Sequence, residues 1–548
     1  MKNAVVLTDA PRVNYMHNFV CLPYYYGTEK YFARPDVGAI RETVYQNLTA
    51  LGAATGFREK FRGRRVLIKP NLVIVMHKCG YALDDIPQST DPRVFDAVMS
   101  YLADLGCALT IVESAGKGTS TMEYFRIAGY DKIARQYGAG LVALEEQPVD
   151  HYYAPLAQVQ KDVWLPRVMG EAVRGEALYV SVPKLKTNLY TEVTLGLKNA
   201  MGVLPGNMRY RNHTWQIGKK LTDLLYLLNP DLTVVDGIVG GEGGTPAPVD
   251  PVKVGMILSG TNGVEVDRVA ARVMGFDPDT VPLIREAAEE GFGDSEAEVI
   301  GSLRVVPFRR AEASFLTPRF QKNWPNVRYF VGHTNSRAPA VTDLAAVTPA
   351  LVYEMEGACR GGCLATMCSF MEMVSKGKHP NRGVTFGVVL GNGCEADGRR
   401  YWFDAAGRAY DLEALKSLGI KTMLGVGACT KEAYPACTLT GGGCSCVGDI
   451  MGMFMKGTHM ALPMLSPEDD ALMRLLRGSL TKYWRVRRLI KSGERVDIPF
   501  DAIDDRVTPI PELLPEDREK AWIFVPSSRL GEAEIKESLR DNKPVTFG

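Results

Sequence analysis

Short apolar runs closed by glycine, proline or asparagine recur along the first 300 residues, alternating with stretches whose apolar positions fall at helical spacing. Residues 65–69 read as a strand ending in Lys69-Pro70-Asn71. In 92–105, Val94, Phe95, Val98, Leu102 and Leu105 mark one face of a helix that stops at Gly106. Residues 108–112 form the next strand, 113–116 turn into a helix running to about Tyr137, and 141–144 form another strand. Further strands are predicted at 177–182, 232–235 and 252–259, with a helix over 264–274. This βαβ rhythm predicts an α/β fold with a doubly wound, mostly parallel sheet.

The pattern changes after 302. Pro307, Pro318, Pro325 and Pro339 interrupt 303–345, which reads as a linker. Strand patterns at 384–390 and 421–426 and a helix at 412–418 then predict a smaller C-terminal α/β Cys-rich domain over 346–460. Residues 1–60 read as a leader packing on the first domain (61–302), and 461–548 as a basic helix (466–492) and a Pro-rich tail.

The candidate chemistry centres on 179–202, YVSVPKLKTNLYTEVTLGLKNAMG. Pro183 cannot donate to a ladder, so the strand is expected to end there, with Lys184, Lys186 and Asn188 just beyond it. Lys198 and Asn199 follow. Open α/β sheets place ligands at the carboxyl ends of their strands, where Lys69, Asn71, Glu113 and Asp236 also fall. Glu242 lies in a glycine-rich loop, and His213 follows a loop carrying Gly206, Arg209 and Arg211. Taken singly, these residues read as caps, turns or solvated charges. Together they predict a Lys-lined crevice for an anionic small molecule, a phosphate or a carboxylate. Lys184, Lys186 and Lys198 would then stabilise developing negative charge, and Glu113 or His213 would transfer protons. Lys69, Asn71, Asn188, Asn199, Asp236 and Glu242 would complete the ligand contacts. No Walker A or GxGxxG sequence supports a standard nucleotide site.

The stretch PKLKTN…VTLGLKNAMGVLPG followed by His213 resembles the core of the uncharacterised family DUF362. Matching motifs are VLIKPNLV (66–73), TDP (90–92), VESAGKG (112–118) and PDLTVVDGIVGGEGGTP (230–246), so the resemblance spans roughly residues 60–300. It implies an iron–sulfur association, since many members carry a ferredoxin-like segment, and it implies no particular reaction. The family pattern commonly has His where this chain has Asn188.

Composition narrows the class. With 46% hydrophobic and 23% charged residues, the 548-residue chain is that of a soluble globular protein. A formal charge of +1 argues against bulk nucleic-acid binding. The absence of a long apolar run or a signal pattern predicts a cytoplasmic protein with no transmembrane segment.

Eight of the eleven cysteines lie between Cys359 and Cys446, a clustering that in a reducing compartment suits metal better than disulfides. Cys394 and Cys429 each follow a strand and a glycine, which places them at the ends of neighbouring strands. Cys359 and Cys363 form a CxxxC pair, and Cys444 and Cys446 sit in a glycine-rich loop. Zinc knuckles of the CxxC type are missing, so one or two [4Fe–4S] clusters are expected, with zinc as the rival. Cys359, Cys363, Cys394 and Cys429 are the best ligands; Cys368 and Cys437 fit a non-ligand role best.

Three functions are compatible with this reading. The first is an iron–sulfur oxidoreductase of anaerobic metabolism acting on the anionic molecule, with a redox partner protein. The second is a non-redox metal-cofactor enzyme with a structural cluster, since the lysines and His are similar in arrangement to the nickel-dependent lactate racemase family. The third is an electron carrier or scaffold for a partner.

Overall fold

The computed structural model describes residues 3–16, 22–73, 80–82, 86–116, 120–210, 216–244, 249–293, 297–334, 338–360, 362–378, 380, 383–434, 437, 439–441, 447–460, 462–463, 471–498 and 514–525.

Alternation of side chains builds the first body. In strand Arg65–Pro70, Val66 and Ile68 face one core while Leu67 faces the other. In Leu178–Val182, Val180 and Val182 face the first core and Tyr179 the second. A sheet apolar on both faces must be covered on both. Helices Pro35–Thr55 and Pro92–Asp104 contribute to one core, and Ile217–Leu224, Gly263–Val273 and Pro282–Glu289 to the other.

The strand order is Glu298–Ile300, Ala4–Asp9, Met256–Gly260, Leu232–Glu242, Leu178–Val182, Arg65–Pro70, Ala108–Glu113, Gly140–Ala143. The last five run parallel, and Met256–Gly260 lies antiparallel to both its neighbours. The α/β architecture is therefore as expected, with one reversed strand among these eight.

Several local expectations are corrected. The leader supplies Ala4–Asp9, a strand of the sheet itself. The helix expected to reach Tyr137 is two, Thr121–Ala128 and Tyr130–Gln136, because Gly129 takes a left-handed φ of 85° between them. The strand ends at Val182, before Pro183, as expected, but the lysines beyond it are not a turn: the Pro183 carbonyl accepts from the Asp236 N–H at 2.9 Å, and the chain resumes as strand Lys184–Asn188. That strand runs parallel to the second half of Leu232–Glu242. The sequence after Asp236, read as a loop, is thus strand as far as Glu242.

The second body is a sheet in the order Cys394–Ala396, Arg399–Phe403, Val327–Val331, Phe386–Leu390, Met423–Val426, Leu439–Gly441. Its last four strands are parallel. Helices Pro349–Gly357 and Cys363–Ser375 pack on it through Val352, Met355, Leu364 and Met371. Strand 327–331 comes from the stretch read as a linker, so the second body begins well before residue 346. The two bodies meet at the turn after strand 184–188: Leu189 packs against the second core, and the Tyr190 and Thr366 hydroxyls are 3.0 Å apart.

Candidate functional site

Strand ends bring the predicted lysines together, but inside the protein. Lys69, Lys184 and Lys186 are fully buried, and Lys198 nearly so. A buried ammonium requires partners, and two of the four have carboxylates. Lys69 Nζ donates to Glu113 at 2.8 Å and to Asn199 Oδ1 at 2.9 Å. Glu113 also accepts from the Leu72 and Ser114 N–H groups. Burial pushes Lys69 down and Glu113 up, and their mutual attraction acts against both shifts. The pair lies against Gly202, where a Cβ would run into both side chains.

Lys184 Nζ donates to Asp236 at 2.8 Å and stands 4.8 Å from the centre of the Tyr15 ring. Asp236 also accepts from the Asp91 N–H. Asp91 in turn caps helix 92–104 and pairs with Arg93 at 2.7 Å, so that despite burial Arg93 holds its carboxyl below the ordinary range. Tyr15, Asp91 and Arg93 had no role in the sequence reading. The TDPR run was the signal for the last two, since an Asp before Pro is a helix cap and an Arg two residues on can reach it.

Lys186 differs. Its Nζ donates to Asn71 Oδ1 at 2.7 Å and to the Gln88 carbonyl at 2.6 Å, both neutral acceptors. Burial, followed by the charge of nearby Lys184, pushes it well below the ordinary lysine value. Burial and the neighbouring Arg209 bring Lys198 down to about 7. Arg209 donates to the Ser114 carbonyl at 2.6 Å. Asp267 accepts from the Gly196 and Leu197 N–H groups and so fixes the short helix Gly196–Asn199 that carries Lys198 and Asn199. Asn71 and Asn199 join the units through a 3.1 Å hydrogen bond.

Two predicted contacts lie elsewhere. Asn188 Oδ1 is occupied by the following turn, accepting from the Tyr190 and Thr191 N–H groups. Glu242 accepts from the Arg309 N–H, tying its strand to the chain between the bodies. His213 is outside the described residues.

The second candidate centre lies at the carboxyl ends of the second sheet. Three parallel neighbours, 327–331, 386–390 and 423–426, lead into His333, Cys394 and Cys429 respectively. The Cys359 sulfur is 3.3 Å from His333 Nε2, and the Cys394 sulfur is 3.5 Å from the His333 carbonyl and 3.6 Å from Met355 Sδ. Gly391, at a φ of 91°, lets the imidazole close in; a Cβ there would strike the ring. Thr430, beside Cys429, exchanges hydrogen bonds with Gly391 and so ties the two loops together.

Burial pushes His333 down to about 4 and raises the Cys394 thiol. Cys363 opens helix 363–375, four residues after Cys359. Burial raises Cys368 well above the ordinary thiol value and Cys437 to about 12. Among the described residues no group of three or more His, Cys, Asp or Glu stands ready-made as a metal site, and Cys444 and Cys446 lie outside them. A donor set of thiols and a neutral imidazole from three strand ends suits a soft metal or an iron–sulfur cluster. His333 was missed because its strand was assigned to a linker. Its signal was FVGH, the same strand–glycine–ligand order as LGNGC and VGAC.

Residues 66–272 match the family model described as "Domain of unknown function (DUF362)". A thylakoid-associated protein of Synechocystis sp. is 24% identical over 277 residues, covering 48% of this chain and 79% of that protein. No solved structure matches. Among the described residues no helix is long and apolar enough to cross a membrane.

Proposed function

With residues 66–272 a DUF362 domain, we propose that this protein is an iron–sulfur redox protein whose second body carries the cluster and whose DUF362 body holds an anionic small molecule. The observation that carries this reading is the placement of Cys359 and Cys394 on either side of His333. Cys359, Cys394, Cys363 and Cys429 would hold the cluster, with His333 as a replacement ligand or as a donor to it. When bound, the cluster supplies single-electron transfer. The chain's own residues do the rest. Lys198 and Arg209 form a cationic pair, and among the described residues no carboxylate pairs with Lys198, which favours a phosphate or carboxylate beside the Lys69–Glu113 pair. Burial and the charge of Lys184 weaken the hold of the Lys186 amine on its proton, which suits a role in proton transfer.

The two centres are also contiguous. Lys186 lies on the strand whose following turn reaches Thr366, three residues beyond Cys363. At strand rise, Lys186 to Tyr190 spans at most about 13 Å.

Anaerobic purification tests the reading. It predicts brown protein with about four or eight iron and sulfide per chain, and loss of both in Cys359→Ser and Cys394→Ser. Colourless protein with stoichiometric zinc overturns the redox assignment.

A further inference from the structure

Helix Ala471–Lys491 turns an apolar stripe to solvent. Three of its cations reach back to the protein: Arg485 pairs with Glu146 at 3.0 Å, Arg474 with Glu123 at 3.5 Å and Lys482 with Glu145 at 4.0 Å. Gly478 packs directly on Ser120 and Glu123, Val486 is buried, and Leu475 reaches the core beneath. The orientation is therefore fixed along the whole length of the helix. On the opposite side stand Met473, Leu476, Leu480 and Trp484, exposed by 68%, 56%, 60% and 55%. Their spacing of three, four and four puts them in a single stripe. Scattered exposed leucines are ordinary, whereas a stripe of four on a helix held to the protein by its opposite face marks a contact surface.

The same outward stripe continues into charge. Arg487 and Lys491 extend it by one turn each, and Arg477 and Arg488 flank it. Arg487 lies 5.8 Å and 5.6 Å from the Tyr483 and Trp484 ring centres and donates to the Tyr483 hydroxyl. The helix contains no acidic residue. The complementary surface is therefore apolar and anionic at once, with the apolar part shallow and the anionic part at the rim.

We propose that this helix lies on a bilayer of acidic lipids. The Met473–Leu476–Leu480–Trp484 stripe enters the boundary between headgroups and acyl chains, and Arg477, Arg487, Arg488 and Lys491 meet the lipid phosphates. Tryptophan and tyrosine beside arginine are the residues that sit at that boundary. The helix holds the second body and the DUF362 body to the membrane surface without spanning it.

Flotation of the full chain with vesicles tests this. The protein floats with phosphatidylcholine vesicles containing phosphatidylglycerol, does not float with phosphatidylcholine alone, and is released by salt. Leu480→Glu with Trp484→Glu abolishes flotation, while Arg487→Gln and Arg488→Gln each weaken it about fivefold. All four side chains are exposed, so unchanged melting of the variants separates loss of binding from loss of fold. Three outcomes overturn the proposal: no flotation with either vesicle, flotation undiminished in the Leu480→Glu, Trp484→Glu protein, or a wild-type dimer that this variant dissolves without any vesicle binding.

Discussion

The lysine network and the cysteine centre occupy the same position in two sheets, the carboxyl ends of parallel strands, and solve opposite problems. In the first body the buried groups are ionisable ammonium and carboxyl groups, and most are paired: Lys69 with Glu113, Lys184 with Asp236, Asp91 with Arg93. In the second, thiols and a neutral imidazole are buried at little electrostatic cost. The lesson is that a buried charge with a partner is explained by its partner, so the informative groups are those whose neighbours do not neutralise them. In the first body these are Lys186 and Lys198; in the second they are the sulfurs around His333.

The sharpest way to break this contrast is Asp236→Ala, which leaves Lys184 buried and unpaired. A loss of about 3–5 kcal/mol in denaturant unfolding is expected. Lys186→Met removes no ion pair and leaves only Asn71 Oδ1 and the Gln88 carbonyl without their donor, so about 1–3 kcal/mol is expected in the same measurement. Equal losses in the two variants would show that Lys186 is charged in the folded protein and that the contrast is wrong.

Lys198 sharpens the comparison through pH. Its folded value of about 7 lies below the ordinary 10.5, so the folded state prefers the neutral amine. Its contribution to stability is therefore present above 10.5 and lost as pH falls towards about 7. Binding of an anion has the opposite sense: sulfate affinity, measured by calorimetry, rises about tenfold as pH falls through 7, and Lys198→Met flattens the profile. The smallest effect is expected at the cap. Asp267→Asn weakens the acceptor for the Gly196 and Leu197 N–H groups and costs about 1 kcal/mol of thermal stability.

By itself, the order of apolar runs and breakers determined the α/β class, the strands at 65–69, 108–112 and 177–182 to within a residue, the basic helix and the separate Cys-rich sheet, because these follow from local periodicity. It also showed that lysines cluster after strand ends and that Cys394 and Cys429 follow neighbouring strands. Burial could not be read that way. Lys184 and Lys186 look like turn residues after a proline, and only pairing with strand 232–242 draws them into the sheet. The partners that answer the charges, Asp236 for Lys184 and Glu113 for Lys69, are 52 and 44 residues away in the chain. His333 shares its strand end with cysteines that the chain supplies later, and local pattern carries no record of such contacts. Which charges are neutralised, and which are left to act, is decided where distant segments meet, because electrostatic energy depends on separation in space.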